Sequence, residues 1–163
     1  MEAYRIEKKL GELLKGSGHT VSAAESCTGG RISHLITCVS GSSAYYLGSV
    51  TSYAISVKEK LLNVNPETIK EHGVVSKEVA GAMAEGIRGA TGSTYSVSTT
   101  GLAEGGDGHY PEGTVWIGVS GPCGTETHIY RCNLGRKGNI RRFADKALHL
   151  LVHYIEKSEK ICE

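Results

Sequence analysis

A polar cluster between a β-prone run and a helical pattern is the first stretch of this chain that could carry chemistry. Residues 21–24 favour a strand, Glu25-Ser26-Cys27-Thr28 follow it, and Gly29 and Gly30 lead into a helix. Where a strand is followed by a turn of small residues and then by a helix, the free backbone N–H groups at the helix start can point at an anion or a developing oxyanion. Open α/β sheets also carry their sites at the carboxyl ends of strands. We therefore expect residues 25–28 to border a site.

Hydroxyl groups also flank the other predicted strands, at Ser42 and Ser43, at Tyr53, and at Thr99 and Thr100. Serine and threonine most often satisfy turns and helix caps, and these segments meet only if their strands are parallel neighbours. The sequence contains no G-x-S-x-G elbow, no S-x-x-K motif, no H-E-x-x-H motif and no Walker A loop. The residues alone thus support an α/β domain with a polar, glycine-lined pocket.

The composition limits the classes of partner. The chain has 163 residues, enough for one domain with a sizeable core, and a net charge of +1, which gives no global field to recruit nucleic acid. A locally basic stretch, residues 136–146, suits a phosphate-sized anion. No apolar run approaches the ~20 residues of a membrane span, and no signal peptide opens the chain, so we expect a cytoplasmic protein. A homodimer is one possible assembly, because two-fold assemblies are the commonest oligomers.

Cysteine and histidine spacing does not indicate a metal site. The five cysteines are an odd number without C-x-x-C spacing, and most are expected to be buried small hydrophobes. His149 and His153 share a helix face, but no glutamate lies between them and no third ligand is evident. We expect neither a metal nor a cofactor.

Hydrophobic periodicity predicts alternating helices and strands, followed by a late hairpin. A mixed sheet between helical layers, in a single domain over residues 1–163, is the fold class that this order favours. Helices are predicted at 2–15, 29–38, 58–62 (one short turn), from the Ser76 N-cap onward, and at 137–156; strands at 20–24, 46–53, 95–100, 114–119 and 126–132; and a glycine-rich loop at 103–111.

Five short motifs occur along the chain in a characteristic order and spacing. They are Glu25-Ser26-Cys27-Thr28-Gly29-Gly30, Gly41-Ser42-Ser43, Tyr53 with Lys58, Gly73-Val74-Val75-Ser76, and Thr100-Gly101-Leu102-Ala103. Together they resemble the CinA C-terminal domain family, which includes the stand-alone nicotinamide-nucleotide amidases. The resemblance runs from about residue 5 to 155, and the E-S-C-T-G-G block is its most specific part.

The resemblance implies a three-layer α/β/α sandwich with a mixed, mostly parallel sheet. It also implies an activity, the hydrolysis of the carboxamide of nicotinamide mononucleotide to nicotinate mononucleotide and ammonia. Family members use a serine with a lysine base and need no metal. The implied partner is thus a small-molecule nucleotide substrate, with no role for nucleic acid or a membrane.

Carried over by motif, the nucleophile falls on Ser43, the base on Lys58 and an assisting hydroxyl on Tyr53. Lysine serves as a base only as the free amine, so its ordinary pKa of ~10.4 must be lowered by burial or a nearby cation. The Thr28–Gly30 turn is expected to hold either the oxyanion or the nucleotide phosphate. The substrate-binding residues that the resemblance implies are Ser26, Thr28, Gly29, Gly30, Thr100, Gly101, Arg136 and Lys137.

Cys27 is a rival nucleophile, because a thiol at a helix N-terminus has a lowered pKa. No histidine is placed by the sequence to act with it, and free cysteines are usually buried. We expect Cys27 to be a packed residue beside the site.

Three segments depart from the family pattern: Ala103–Gly108 in place of A-G-P-x-G-G, Tyr53-Ala54-Ile55 in place of Y-S-N, and Gly135-Arg136-Lys137 in place of G-D-R. Glu104 and Asp107 add negative charge where a phosphorylated substrate is expected. Two alternatives to the amidase therefore stay open: an amidohydrolase for another carboxamide, and a non-catalytic nucleotide-binding or regulatory module.

Overall fold

The computed structural model of the protein describes residues 5–161. Residues 2–4 of the first predicted helix lie outside this range, and so does Cys162. No helix within residues 5–161 is both long and apolar enough to cross a membrane. The elements in chain order are α1 (Ile6–Leu14), β1 (Val21–Glu25), α2 (Arg31–Thr37), a 3₁₀ turn (Ser42–Ala44), β2 (Tyr46–Thr51), α3 (Ile55–Leu62), α4 (Pro66–His72), α5 (Lys77–Thr91), β3 (Tyr95–Gly101), β4 (Thr114–Gly121), β5 (Gly124–Arg131) and α6 (Gly135–Ile161).

The five strands form one mixed sheet in the order β2-β1-β3-β4-β5. β1 pairs in parallel with both β2 and β3, whereas β3–β4 and β4–β5 are antiparallel. The β1–β2 register sets Glu25 opposite Thr51, and that of β1–β3 sets Ala24 opposite Ser98. The carboxyl ends of β1, β2 and β3 therefore lie at the same edge of the sheet.

Helices cover both faces of the sheet, which confirms the predicted α/β/α sandwich. On one face, α1, α2 and α6 bury a core that includes Leu10, Ile36 and Phe143 against Val97 and Ile117 of the sheet. On the other face, α3, α4 and α5 pack around a smaller apolar cluster formed by Ala24, Leu62, Val64, Ile69, Val79, Met83 and Ile87.

The α5 backbone contacts the sheet directly because the strands beneath it carry small side chains. Ser96 and Ser98 of β3 donate hydrogen bonds to the carbonyls of Ala84 and Ala80. A Cβ on Gly118 of β4 would overlap the Ala80 carbonyl. This contact fixes α5, and Thr100 at the end of β3 donates to the carbonyl of Val74 just before it (2.8 Å).

Sequence periodicity misses one helix and shortens two. α3 begins at Ile55 rather than at Lys58, and α6 extends beyond its predicted ends. α4 is not predicted, because its seven residues bury only Ile69 and give little periodicity. Its start signal is nevertheless present, since Asn65 caps the N–H of Glu67 and Pro66 occupies the first turn.

Two glycines of α5 should respond oppositely to alanine. A Cβ on Gly86 would overlap the carbonyl of Leu62 in the adjacent helix, whereas a Cβ on Gly89 meets nothing within 4 Å. We expect Gly86→Ala to lower the free energy of unfolding by about 2 kcal/mol. Gly89→Ala should raise it by about 0.5–1 kcal/mol, because alanine favours a helix over glycine. Urea unfolding of both variants checks this, and equal effects would mean that α5 is not held against Leu62.

Candidate active site

The site forms where the carboxyl ends of the parallel strands meet. Ser26 follows β1, Ser52 and Tyr53 follow β2, and Leu102 follows β3. The Ser52 N–H donates to the Glu25 carbonyl at 2.7 Å, which extends the β1–β2 pairing beyond the strands. The turn carrying Ser26 is therefore fixed beside the segment that leads into α3.

Lys58 of α3 is a fully buried lysine whose amine reaches this edge. Its Nζ lies 2.9 Å from the hydroxyl oxygen of Ser26, and it also donates to the carbonyls of Ser52 and of Tyr53 (3.3 Å). A neutral amine has two N–H donors and one lone pair. The ammonium form of Lys58 donates to all three oxygens, whereas the neutral amine can donate to the two carbonyls and present its lone pair to the Ser26 hydroxyl.

Burial lowers the pKa of Lys58 from 10.5 to about 8, because the charged ammonium is separated from water. About a tenth of Lys58 is then the free amine at pH 7, far more than for a lysine with the ordinary pKa of 10.5. A buried lysine that hydrogen-bonds a serine in a cleft is an arrangement that can activate a hydroxyl nucleophile.

The structure does not bring Ser43 to Lys58, which corrects the pairing carried over from the motifs. Ser43 lies in the 3₁₀ turn that precedes β2, whereas Lys58 lies beyond the end of β2. The length of β2, roughly 16 Å, separates the two ends. Ser43 is exposed at the opposite edge of the sheet. The serine that contacts the Lys58 amine is Ser26, which was expected only to bind substrate.

Glu25 holds the turn behind Ser26. Its fully buried carboxylate accepts hydrogen bonds from the Thr28 hydroxyl (2.7 Å) and from the N–H groups of Ile32 (2.9 Å) and Ser33 (3.0 Å) at the start of α2. A protein carboxylate thus already occupies the position that an anion would take at this helix start. Sequence reasoning gave Glu25 no such role.

The structure does not bring Thr28, Gly29 and Gly30 to the site. Thr28 is buried, and its hydroxyl contacts Glu25 and the Thr99 hydroxyl (2.9 Å). The N–H of Gly29 donates to the Ser26 carbonyl. These residues shape the turn, with both glycines at positive φ, and none of the three lines the cleft in front of Ser26.

A cleft of about 460 Å³ opens in front of Ser26, within the usual size range of small-molecule sites. Three segments meet at its mouth, because Nη2 of Arg136 donates to the Tyr53 hydroxyl (3.3 Å) and Nη1 lies 3.6 Å from the Glu104 carboxylate. The described lining comprises Ser26, Cys27, Tyr53, Val74, Val75, Gly101, Leu102, Ala103, Glu104, Asp107 and Arg136.

Of the remaining predicted binding residues, two line the cleft, one lies behind its wall and one is exposed elsewhere. Gly101 lines the cleft, and a Cβ there would clash with the backbone of Thr114. Thr100 supports the Val74 carbonyl from behind. Arg136 lines the cleft, whereas Lys137 is exposed and outside the lining. Asp107 accepts hydrogen bonds from the N–H groups of His109 and Tyr110, which lower the pKa of its carboxyl group, with the Tyr110 bond the larger cause.

Cys27 lines the cleft beside Ser26 but is not poised for attack. Burial raises the pKa of its thiol to about 12, against the smaller opposing effect of a Thr99 hydrogen bond. Its thiol is therefore protonated at neutral pH, and protonated thiols are poor nucleophiles. The helix-start effect that would have lowered this pKa is outweighed by desolvation.

Asn139 is a site residue that the sequence reasoning missed. It is fully buried in α6, donates to the Ala103 carbonyl (2.9 Å) and accepts from the Leu134 N–H (2.9 Å). It thereby ties the loop that carries Glu104 to the segment that carries Arg136. A polar residue among the apolar positions of the last helix was the available signal.

The family model of the CinA C-terminal domain matches residues 3–155. The chain belongs to the CinA C-terminal domain family. A CinA-like protein of Salinibacter ruber is 46% identical over 145 residues, which cover 88% of this chain and 35% of that protein. The chain thus spans about a third of the length of the curated CinA-like relatives that it matches.

Solved CinA structures share the fold over nearly their whole length. A CinA superfamily protein from Enterobacter cloacae has a TM-score of 0.89 at 27% identity, covering 95% of each chain. The competence/damage inducible protein CihA from Agrobacterium tumefaciens has a TM-score of 0.85 at 30% identity, covering 94% of this chain and 98% of that one. The CinA family and fold predicted from the motifs are confirmed.

Proposed function

We propose that this chain is an amidohydrolase that deamidates nicotinamide mononucleotide, with Ser26 as nucleophile and Lys58 as its base. The observation that carries the proposal is the 2.9 Å contact between the buried Lys58 amine and the hydroxyl of Ser26, a residue that lines the cleft. A serine hydroxyl is a poor nucleophile until a base takes its proton. Membership of the CinA family supports the choice of reaction, through the activity that the motifs imply.

The reaction proceeds in two halves. Ser26 Oγ attacks the carboxamide carbon while its proton passes to Lys58 Nζ. Lys58 then returns that proton to the departing nitrogen, so that ammonia leaves and an ester forms on Ser26. Water attacks the ester, Lys58 accepts the water proton, and nicotinate mononucleotide departs as Ser26 is reprotonated. A base with a pKa near 8 suits both directions of transfer.

The residues at the mouth fit the nucleotide part of this substrate. Arg136 offers a planar fork of donors suited to a phosphate, and Tyr53 holds it toward the cleft. The wall from Val74 to Val75 and Leu102 to Ala103 is apolar enough to contact a pyridine ring.

Release of ammonia and nicotinate mononucleotide from nicotinamide mononucleotide, in equal amounts, is the direct test. A panel of other carboxamides run alongside identifies a different amidohydrolase if one of them is clearly preferred. Saturable binding of the nucleotide without turnover, under conditions where the protein is folded, would favour the non-catalytic module instead.

A further inference from the structure

Arg136 lies at the mouth of the cleft between two groups of this same chain. Its guanidinium donates to the Tyr53 hydroxyl on one side and faces the Glu104 carboxylate, 3.6 Å away, on the other. Tyr53 precedes α3, Glu104 follows β3 and Arg136 lies in the first turn of α6. All three residues line the cleft that also contains Ser26, so the contact joins three segments of the cleft wall.

We propose that Glu104 competes with the substrate for Arg136, so that the cleft accepts an anionic, phosphorylated carboxamide only by displacing this carboxylate. The inference rests on the proposed function and adds a residue that sets substrate preference. Carboxylate and phosphate both bind the in-plane N–H groups of a guanidinium, and Glu104 and Tyr53 lie at the Nη1 and Nη2 groups of Arg136. A phosphate that binds Nη1 and Nη2 together must therefore displace Glu104.

The exposure of the pair makes the displacement feasible. The side chains of Arg136 and Glu104 are 49% and 65% exposed, and ion pairs in such surroundings are weak. A phosphate dianion that makes two hydrogen bonds to the guanidinium is a stronger partner than one distant carboxylate. Glu104 therefore weakens phosphate binding without abolishing it.

The backbone geometry keeps Glu104 near Arg136 rather than leaving it free to swing away. Asn139 binds the carbonyl of Ala103, adjacent to Glu104, and the N–H of Leu134, two residues before Arg136. The other acidic residue of the lining, Asp107, has its carboxylate engaged by the N–H groups of His109 and Tyr110. Glu104 is thus the carboxylate of the lining that pairs with the arginine.

The test compares nicotinamide mononucleotide with nicotinamide riboside, which has the same ring and carboxamide but no phosphate. We expect Glu104→Gln to raise kcat/KM for the mononucleotide about three- to fivefold, and to change that for the riboside by less than twofold. Arg136→Gln should lower kcat/KM for the mononucleotide at least about tenfold and spare the riboside. The double variant should match Arg136→Gln, because Glu104 acts only through the arginine.

Glu112→Gln and Arg141→Gln serve as matched controls. Both residues are exposed and lie outside the cleft lining. Glu112→Gln removes one negative charge from the loop that carries Glu104, and Arg141→Gln removes one positive charge from α6, which carries Arg136. Each should leave the ratio of the two kcat/KM values unchanged. The proposal is wrong if Glu104→Gln lowers that ratio or leaves it at the wild-type value, since Glu104 would then orient Arg136 or do nothing.

A binding experiment separates this inference from a failure of the proposed function. If neither compound is hydrolysed, calorimetric titration of the wild-type chain with each compound replaces kinetics. Tighter binding of the mononucleotide that increases in Glu104→Gln and is lost in Arg136→Gln supports the anion competition while the amidase proposal falls. Equal binding of both compounds, or binding of neither, overturns the competition as well.

Discussion

Ser26→Ala is expected to lower kcat for ammonia release from nicotinamide mononucleotide by at least about a thousandfold, because it removes the attacking oxygen. The variant should fold normally. Among the described residues, the Ser26 hydroxyl hydrogen-bonds only the Lys58 amine, and the Glu25 contacts that fix the turn do not involve the Ser26 side chain. Steady-state kinetics measure the loss, and thermal unfolding with circular dichroism checks the fold.

Ser43→Ala is the matched comparison, since it makes the same change in the serine that the motifs first indicated. Ser43 is exposed at the other end of β2 from Lys58, so kcat should stay within about twofold of the wild-type value. A large loss in Ser43→Ala together with normal turnover in Ser26→Ala would contradict the assignment of the nucleophile.

Most of the fold could be predicted because burial imposes a period on the sequence. β1 and β3 read as short buried runs, and α5 shows Val79, Ala80, Met83 and Ile87 on one face. Ser76 is recognisable as a cap from its position, and its hydroxyl does accept the Val79 N–H. α4 lacks such a stripe, and its stability comes from packing of Ile69 beside α5, which no local pattern records.

The candidate site could be predicted only in part. Ser26 and Lys58 of the predicted site do converge. The Tyr53 hydroxyl, expected to assist the base, instead contacts Arg136, and Ser43, the serine that the motifs indicate, lies away from Lys58. Parallel strands bring together the residues that lie beyond their carboxyl ends, and Ser43 precedes β2. The same rule that places residues 25–28 at a strand end sets Ser43 at the opposite end of β2, and the structure brings Ser26 to Lys58.

The remaining contacts of the site could not be read from local sequence. The Ser52 and Tyr53 carbonyls bind the Lys58 amine only because α3 turns back over the strand end. Glu25 caps α2 seven and eight residues away, and Asn139 reaches Ala103 across 36 positions of sequence. Such contacts depend on the tertiary fold and not on the local sequence.

Lys58→Met is the second variant with a large expected effect. It keeps the buried aliphatic stem but removes the base, so kcat should fall about a thousandfold, within the range seen for general bases.

In the wild-type protein kcat/KM should rise with pH and level off above about 8, because only the free amine accepts the Ser26 proton. A pH profile that is flat between 6 and 9 would contradict this role for Lys58.

The burial of Lys58 also predicts how stability depends on pH, whether or not the chain is an amidase. The pKa of Lys58 is about 8 in the folded protein and 10.5 when it is exposed. Between these pH values the unfolded chain holds a proton that the folded chain has lost. The free energy of unfolding of the wild type should therefore rise relative to that of Lys58→Met, by about 3 kcal/mol from pH 8 to 10.5.

The control is Lys60→Met, at an exposed position of the same helix, relative to which the free energy of unfolding of the wild type should show no such rise. If denaturant titrations give parallel curves for the wild type and Lys58→Met, the Lys58 amine is solvated in the folded protein, and its capacity to act as a base at neutral pH has no physical origin.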